Sequence, residues 1–321
     1  MDVRNVIEAP KYSIVMPVYN SEQMLEDVCL SVNAVFNKLR LAYEIILVND
    51  GSRDNSWQVM KKLNAADPKI KILKLTRNFS EHNAVIAGLK YVRGDFAIVM
   101  DDDGQNPPEE IPKLIDEINK GYDVVFANYK VKKHSFFRNL GSAFNDRVAT
   151  ILLKKPRGLY LCSFKIFSRV LINEIIKYRG PYPYIDGLIF RSTMNIGTVQ
   201  VEHRRRLRGE SGYTFRKLVS LWLNMFTNFS VLPLRISMLI GLFFALVGFI
   251  LAIIFLIDKI FHPTAPTGWA TIVISIFMFS GIQLIILGVI GEYLGRLFLS
   301  SNQTPQFIIQ EQRGFNDNIK S

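Results

Sequence analysis

The sequence predicts an α/β fold, a mostly parallel, doubly wound sheet, followed by two helices that cross a membrane as a hairpin. Three observations predict it. Short apolar runs alternate with helical segments through residues 12–127, the pattern of strands joined by crossover helices. The fourth run, residues 96–100 (FAIVM), turns abruptly into three carboxylates, Asp101, Asp102 and Asp103. Residues 236–257 and 263–291 carry no charged side chain over 22 and 29 positions, each longer than the ~20 residues a helix needs to span a bilayer.

Taken in order, residues 1–11 lack an apolar signal core and are expected to be a flexible lead. The run from Tyr12 ends in Pro17 and Asn20, a buried strand opening into a loop before a helix. Residues 44–48 repeat the form. They break at Asn49, Asp50 and Gly51, with Asp54 placed to cap a helix through Leu63. A third strand over 70–75 is followed by Arg77, Asn78, Phe79 and a helix to Val92; the fourth covers 96–100 and the fifth 122–127. Three of the first four strands end in polar side chains, which a parallel sheet gathers at its carboxyl edge, where open α/β sheets bind ligands. Hard oxygen donors there suit Mg²⁺ or Mn²⁺ facing a diphosphate. The plainer alternative is an acidic turn that caps the helix begun at Pro107 and Pro108.

Charge divides the chain. Residues 1–128 are net −4 and residues 129–217 net +14 within a total of +11, so a cation-binding part precedes one that meets something anionic: lipid phosphate, a membrane surface or nucleic acid. Residues 136–153 place Phe137, Leu140, Phe144 and Val148 at helical spacing with Arg138, Asn145 and Arg147 between them. Such a helix lies on a membrane surface or faces a core. Residues 214–229 are similar and run into Pro233. The spans are placed at about 236–257 and 269–293, within a membrane unit of 235–296. Arg235 and Arg296 flank them and put both ends on the cytoplasmic side. The tail, 297–321, is polar except at 307–309, which reads as a strand or as disordered. Cys29 and Cys162 stand far apart without a CxxC spacing, which points to neither a disulfide framework nor a zinc site.

The segments 15–20 (VMPVYN), 49–54 (NDGSRD), 76–79 (TRNF), 101–109 (DDDGQNPPE), 209–213 (GESGY) and 288–296 (GVIGEYLGR) together resemble the family 2 glycosyltransferases of the polyprenyl-phosphate type. This group contains dolichyl-phosphate mannose synthase, and the likeness is greatest to the bacterial two-span undecaprenyl-phosphate sugar transferases. The resemblance implies a GT-A fold, with a donor and metal part over 12–135 and an acceptor part over 136–234. It implies a nucleotide-sugar pocket at Pro17, Tyr19, Asn20, Glu22, Asp50, Asp101 and Asp102, a Mg²⁺ or Mn²⁺ site at Asp101, Asp103 and Gln105, and acceptor-phosphate contacts at Arg138, Arg147, Lys165 and Arg206. It further implies a metal-dependent inverting transfer from a UDP-sugar to polyprenyl phosphate, made at the cytoplasmic face of a bacterial inner membrane by a multi-pass protein, with membrane lipids as partners and tetramers by analogy.

Some positions depart from the family pattern. Tyr19-Asn20 is followed by Ser21 with Glu22 one place later, Asn49 stands for the usual Asp, Gly104 for a common Leu, Tyr129 for an Arg after the fifth strand, and Lys165 for another Arg; Leu159 and Leu161 replace an Asp-x-Gly, and Gly212 a Lys. Three other readings compete. A processive polysaccharide synthase is opposed by the absence of an Arg-Trp pair. Nucleic-acid binding by residues 203–208 (HRRRLR) leaves Asp101–Gln105 unexplained, so no nucleic-acid partner is expected. A catalytically dead scaffold is opposed by the intact Asp101, Asp103 and Gln105.

Overall fold

The computed structural model describes residues 9–129, 155–156, 159–180, 182–202, 232–261, 268–302 and 305–315. The expectations at Arg138, Arg147 and Arg206, and for the segments 136–153 and 214–229, lie outside these residues. The chain forms two compact units, one of residues 1–213 with 304–321 and one of residues 214–303.

The first unit follows the predicted alternation. Strand β1 (Tyr12–Val18) leads to helix α1 (Leu25–Leu39), β2 (Tyr43–Asn49) to α2 (Ser56–Ala66), β3 (Ile70–Leu75) to α3 (Glu81–Leu89), and β4 (Phe96–Val99), through a short 3-10 turn, to α4 (Ile111–Ile118). Then come β5 (Val124–Tyr129), β6 (Lys165–Ser168), α5 (Arg169–Ile175), α6 (Ile185–Ser192), β7 (Ile196–Val201) and, from the far end of the chain, β8 (Ile309–Arg313). The strands form one sheet in the order β7-β5-β6-β4-β1-β2-β3-β8. Neighbours pair in parallel except where β6 meets β4 and β5 and where β8 meets β3.

Strands β1 and β2 are buried at every position, which is why they read as continuous apolar runs rather than alternating ones. Proline in an inner strand needs a reason. The amide of Tyr12 donates to Ala42 O on the β2 side, and Val15 O accepts from Met100 N on the β4 side. Alternation therefore turns position 17 toward β4, which has ended at Val99. The missing N–H of Pro17 costs no ladder bond.

Several local expectations change: the fifth strand, expected over 122–127, runs Val124–Tyr129, and the helix expected to reach Val92 ends at Leu89. Asn55, not Asp54, is the cap residue of α2, and the helix runs to Ala66; Asp54 still accepts the Ser56 N–H at 3.0 Å. Of the stretch 307–309 only Ile309 is in a strand: β8 begins there, runs to Arg313 and covers the outer edge of β3. The amide of Thr76 donates to Ile308 O at 3.0 Å, the Tyr91 hydroxyl to Gln312 Oε1 at 2.8 Å, and the Phe307 ring lies 4.6 Å from Lys90 Nζ. An exposed edge invites pairing with other chains, and this one is closed by the chain's own tail.

In the second unit, α7 (Leu232–Phe261) and α8 (Trp269–Ser301) extend past the predicted spans at both ends, apart from the shared start at Trp269. They run antiparallel: Gly241 sits by Ile286 and Gly248 by Phe279, each at 3.7 Å from a Cβ built on the glycine. Among the described residues, Phe279–Leu299 is long and apolar enough to cross a membrane, with a mean hydropathy of 1.7, and Ser237–Ile250 is a shorter apolar stretch.

Candidate active site

The carboxyl ends of β1 to β4 bring their loops to one edge of the sheet. Because β6 runs against β4, with Lys165 opposite Val99, the residues entering β6 arrive at that edge as well. The end of β5, Tyr129, joins them.

The first two loops are laced together. Asn20, at φ 56, donates its N–H to Ser52 Oγ at 3.1 Å and accepts from the Arg53 N–H at 2.8 Å. Ser21 N–H reaches Ser56 Oγ at 2.8 Å and Glu22 N–H reaches Asp54 Oδ2 at 3.1 Å. Glu22 in turn accepts the Asn55 N–H at 2.8 Å. Thus Asn20 and Glu22, expected at the nucleotide, act in this structure as ties between loops. Asn49 fits the same scheme, for its Oδ1 takes the Ser52 N–H at 2.8 Å.

Asp50 is buried, with 3% exposure, and accepts the Phe79 N–H at 2.6 Å, which joins the β2 loop to the β3 loop. Burial raises its pKa, against backbone hydrogen bonds from Phe79 and Ser80 that lower it. Gly51 must be glycine: its φ is 69, and a Cβ would stand 2.5 Å from Asn78 N. Tyr19 is exposed, and its N–H donates to Asp102 Oδ2 at 3.2 Å.

Asp101, Asp102 and Asp103 are all partly accessible. Desolvation, reinforced by neighbouring negative charge, pushes the Asp101 and Asp102 carboxyls up to about 7. The Gln105 N–H donates to Asp103 Oδ1 at 3.0 Å. Gly104 between them has φ 70, a conformation leucine would adopt only with strain, so the departure at this position has a backbone reason. On Asp101, Oδ2 receives Asn106 Nδ2 at 3.1 Å and the Ser163 hydroxyl.

Sequence reading missed Asn106 and Ser163. Asn106 follows Gln105 directly, but its role is visible only in its contact with Asp101, and Ser163 is distant in sequence and comes near only through the antiparallel β6.

One expectation is corrected. Lys165 is not available to a lipid phosphate: it is buried, with 5% exposure, its ammonium is paired with Asp186, and it lies 5.0 Å from the Phe126 ring. A buried pair of this kind neutralises itself. His82 packs edge-on against Tyr184 at 5.2 Å, and burial pushes its pKa down to about 4. Both cysteines are free thiols.

The donor set fits a hard divalent cation. Carboxylates whose pKa is raised by desolvation and, secondarily, by neighbouring negative charge are stabilised by a cation. Among the described residues no group of three or more His, Cys, Asp and Glu side chains could hold a metal by itself.

A mostly parallel sheet with acidic and amide side chains at its carboxyl edge belongs to the open α/β class, which binds ligands at the carboxyl ends of its strands. The family model for glycosyl transferase family 2 matches residues 13–176, and the chain belongs to that family; its sheet domain is GT-A-like. It is 32% identical over 305 residues to an uncharacterized glycosyltransferase, YkcC, of Bacillus subtilis, covering 95% of this chain and 94% of the relative. It is 33% identical over 307 residues to the undecaprenyl-phosphate 4-deoxy-4-formamido-L-arabinose transferase of Proteus mirabilis, with the same coverage. The crystal structure of glucosyl-3-phosphoglycerate synthase from Mycobacterium tuberculosis with Mn²⁺ and UDP-glucose aligns with a TM-score of 0.49 at 17% identity, covering 72% of this chain and 78% of that one.

Proposed function

We propose that the protein transfers a sugar from a nucleotide diphosphate sugar, with UDP as the nucleotide, to polyprenyl phosphate, inverting the anomeric centre, for modification of a cell-envelope glycan or lipid. The observation that carries this reading is the near full-length likeness to an undecaprenyl-phosphate sugar transferase, joined to a sheet edge that presents Asp50, Asp101 and Asp103 together.

In this reading Asp50, held by the Phe79 N–H, faces the base, and Pro17 and Tyr19 line the pocket. Asp101 and Asp103, with Gln105 beside them, would hold Mg²⁺ or Mn²⁺, which supplies Lewis-acid stabilisation of the charge that gathers on the departing diphosphate. The acceptor is its own nucleophile. A phosphate monoester with a second pKa near ~6 is already largely dianionic at neutral pH, so no side chain has to remove a proton. The residues orient the two partners for attack opposite the leaving group. Arg138, Arg147 and Arg206 are proposed to meet the lipid phosphate as charge-assisted donors.

The hairpin α7–α8 is proposed to span the inner membrane twice. Its support is topological as well as compositional: β8, after both helices, pairs with β3 before them, so the chain crosses any membrane between them an even number of times. Basic residues beside the spans favour the cytoplasm for the sheet domain.

The test of function is to incubate purified protein with undecaprenyl phosphate, Mg²⁺ or Mn²⁺ and a panel of nucleotide sugars, and to weigh the lipid product. A mass gain of one glycosyl unit with release of UDP is expected; no product with any donor overturns the reading. For topology, single cysteines in a cysteine-free background at positions 264 and 310 are labelled from outside the cell. Position 264 should react and 310 should not, and the reverse pattern refutes the orientation.

A further inference from the structure

Two residues that the proposed transfer does not use converge on one oxygen of Asp101, and a third stands behind one of them. The Ser163 hydroxyl and the Asn106 amide both donate to Oδ2, and Asn106 Oδ1 accepts from the Tyr129 hydroxyl. These groups come from three places in the chain: the turn after β4, the end of β5 and the entry to β6, a strand that lies between β4 and β5 in the sheet. Asn106 is 1% exposed. Since the Tyr129 hydroxyl gives its proton to Oδ1 of the amide, the opposite side of that amide, Nδ2, is turned to the carboxylate. Burial also raises the Tyr129 pKa, so the phenol remains a donor. Among the described residues no donor engages Oδ1 of Asp101.

We propose that Asn106 and Ser163, with Tyr129 behind Asn106, are positioning residues that hold Asp101 by Oδ2 and reserve Oδ1 for a divalent cation. The inference rests on the metal reading above and goes beyond it by specifying one-oxygen binding and naming the residues that enforce it. A carboxylate turning freely would bind through either or both oxygens. One with two donors fixed on Oδ2 presents a single oxygen in a set direction, which suits the strict octahedral geometry of Mg²⁺. Hydrogen bonds to the far side of a metal ligand typically change metal affinity by about 10–100-fold.

The experiment measures Mn²⁺ uptake by the full-length protein in the presence of UDP, following the electron paramagnetic resonance of free Mn²⁺, beside thermal unfolding without metal. Ser163→Ala should weaken Mn²⁺ binding by about 10–100-fold with metal-free melting unchanged. Ser163→Thr, which keeps the hydroxyl, should restore most of the affinity, and Tyr129→Phe should give a smaller loss than Ser163→Ala. The proposal is overturned if Ser163→Ala and Tyr129→Phe both bind Mn²⁺ like the unaltered protein, or if affinity falls only in step with lowered melting and Ser163→Thr does not restore it. If the unaltered protein with UDP takes up no Mn²⁺, the metal reading itself falls, and this inference with it; only the former results isolate the positioning network.

Discussion

Leu30 on α1 and Leu246 on α7 are exposed to almost the same degree, 57% and 59%, yet they stand in different company. Around Leu30, one helical turn to either side, the exposed residues include Glu26, Asp27 and Ala34. Around Leu246 they are Leu242, Phe243, Phe249 and Ile250, each between 49% and 66% exposed. A lone surface leucine needs no explanation, whereas a continuous apolar face requires an apolar surround. Exposure alone therefore does not report on solvent; the neighbours at i±3 and i±4 do. The sheet domain turns its apolar side chains inward, and the hairpin turns its own outward.

If the two units are built for different solvents, damage to one should leave the other intact. The largest effect is expected from Asp103→Asn, which keeps size and removes charge. Turnover should fall by orders of magnitude while the protein still inserts in membranes; near-normal turnover in EDTA would remove the metal from the account.

Next comes the buried cluster under β1 to β3. Glu44 is 2% exposed, is paired with Lys71, and accepts from Ser13 Oγ at 2.6 Å and Arg93 N at 2.8 Å. Glu44→Gln leaves the Lys71 charge uncompensated, at a cost of about 3–5 kcal/mol. Denaturant unfolding followed by a probe in the sheet domain should show it, with membrane association unchanged.

The most direct comparison of the units is the leucine pair. Leu246→Arg should cost about 2.5–3.5 kcal/mol of membrane insertion, read as the inserted fraction in a reporter assay. Leu30→Arg should alter stability by no more than about 0.5 kcal/mol. Equal effects at the two sites would place both helices in water.

The smallest effect concerns pH. With its pKa lowered to about 4 by burial, His82 is neutral in the folded protein, whereas an unfolded histidine titrates near ~6.5. Between these values the unfolded chain binds more protons, so this contribution is complete above ~6.5 and is lost as pH falls toward 4. Melting temperatures across that window should fall less steeply in His82→Gln than in the unaltered protein.

Much of this architecture was legible because it is local. Continuous apolar runs mark buried parallel strands, and the loops that follow them hold Asp50, Asp101 and Asp103 at the predicted edge. What was not legible depends on contacts between distant segments. The commitment of Lys165 to Asp186 follows from β6 and α6 meeting in space, and nothing near position 165 announces it. Ser163 reaches Asp101 across 62 positions, through a strand reversal that an alternating pattern does not reveal. The tail was ambiguous for the same reason, since β8 is defined by its partner, β3, more than by its own apolar content.

That pairing also has a consequence in time. Synthesis proceeds from the amino terminus, and the edge of β3 stays uncovered until residues 309–313 have left the ribosome. By then both apolar helices have been made, and at about 5–20 residues per second the wait is on the order of tens of seconds. An open strand edge over that interval is a template for pairing with another nascent chain. The sheet domain is thus finished last, after the hairpin that follows it, and a chain interrupted within α8 would leave the ribosome with β1 to β7 made and the outer edge of β3 bare.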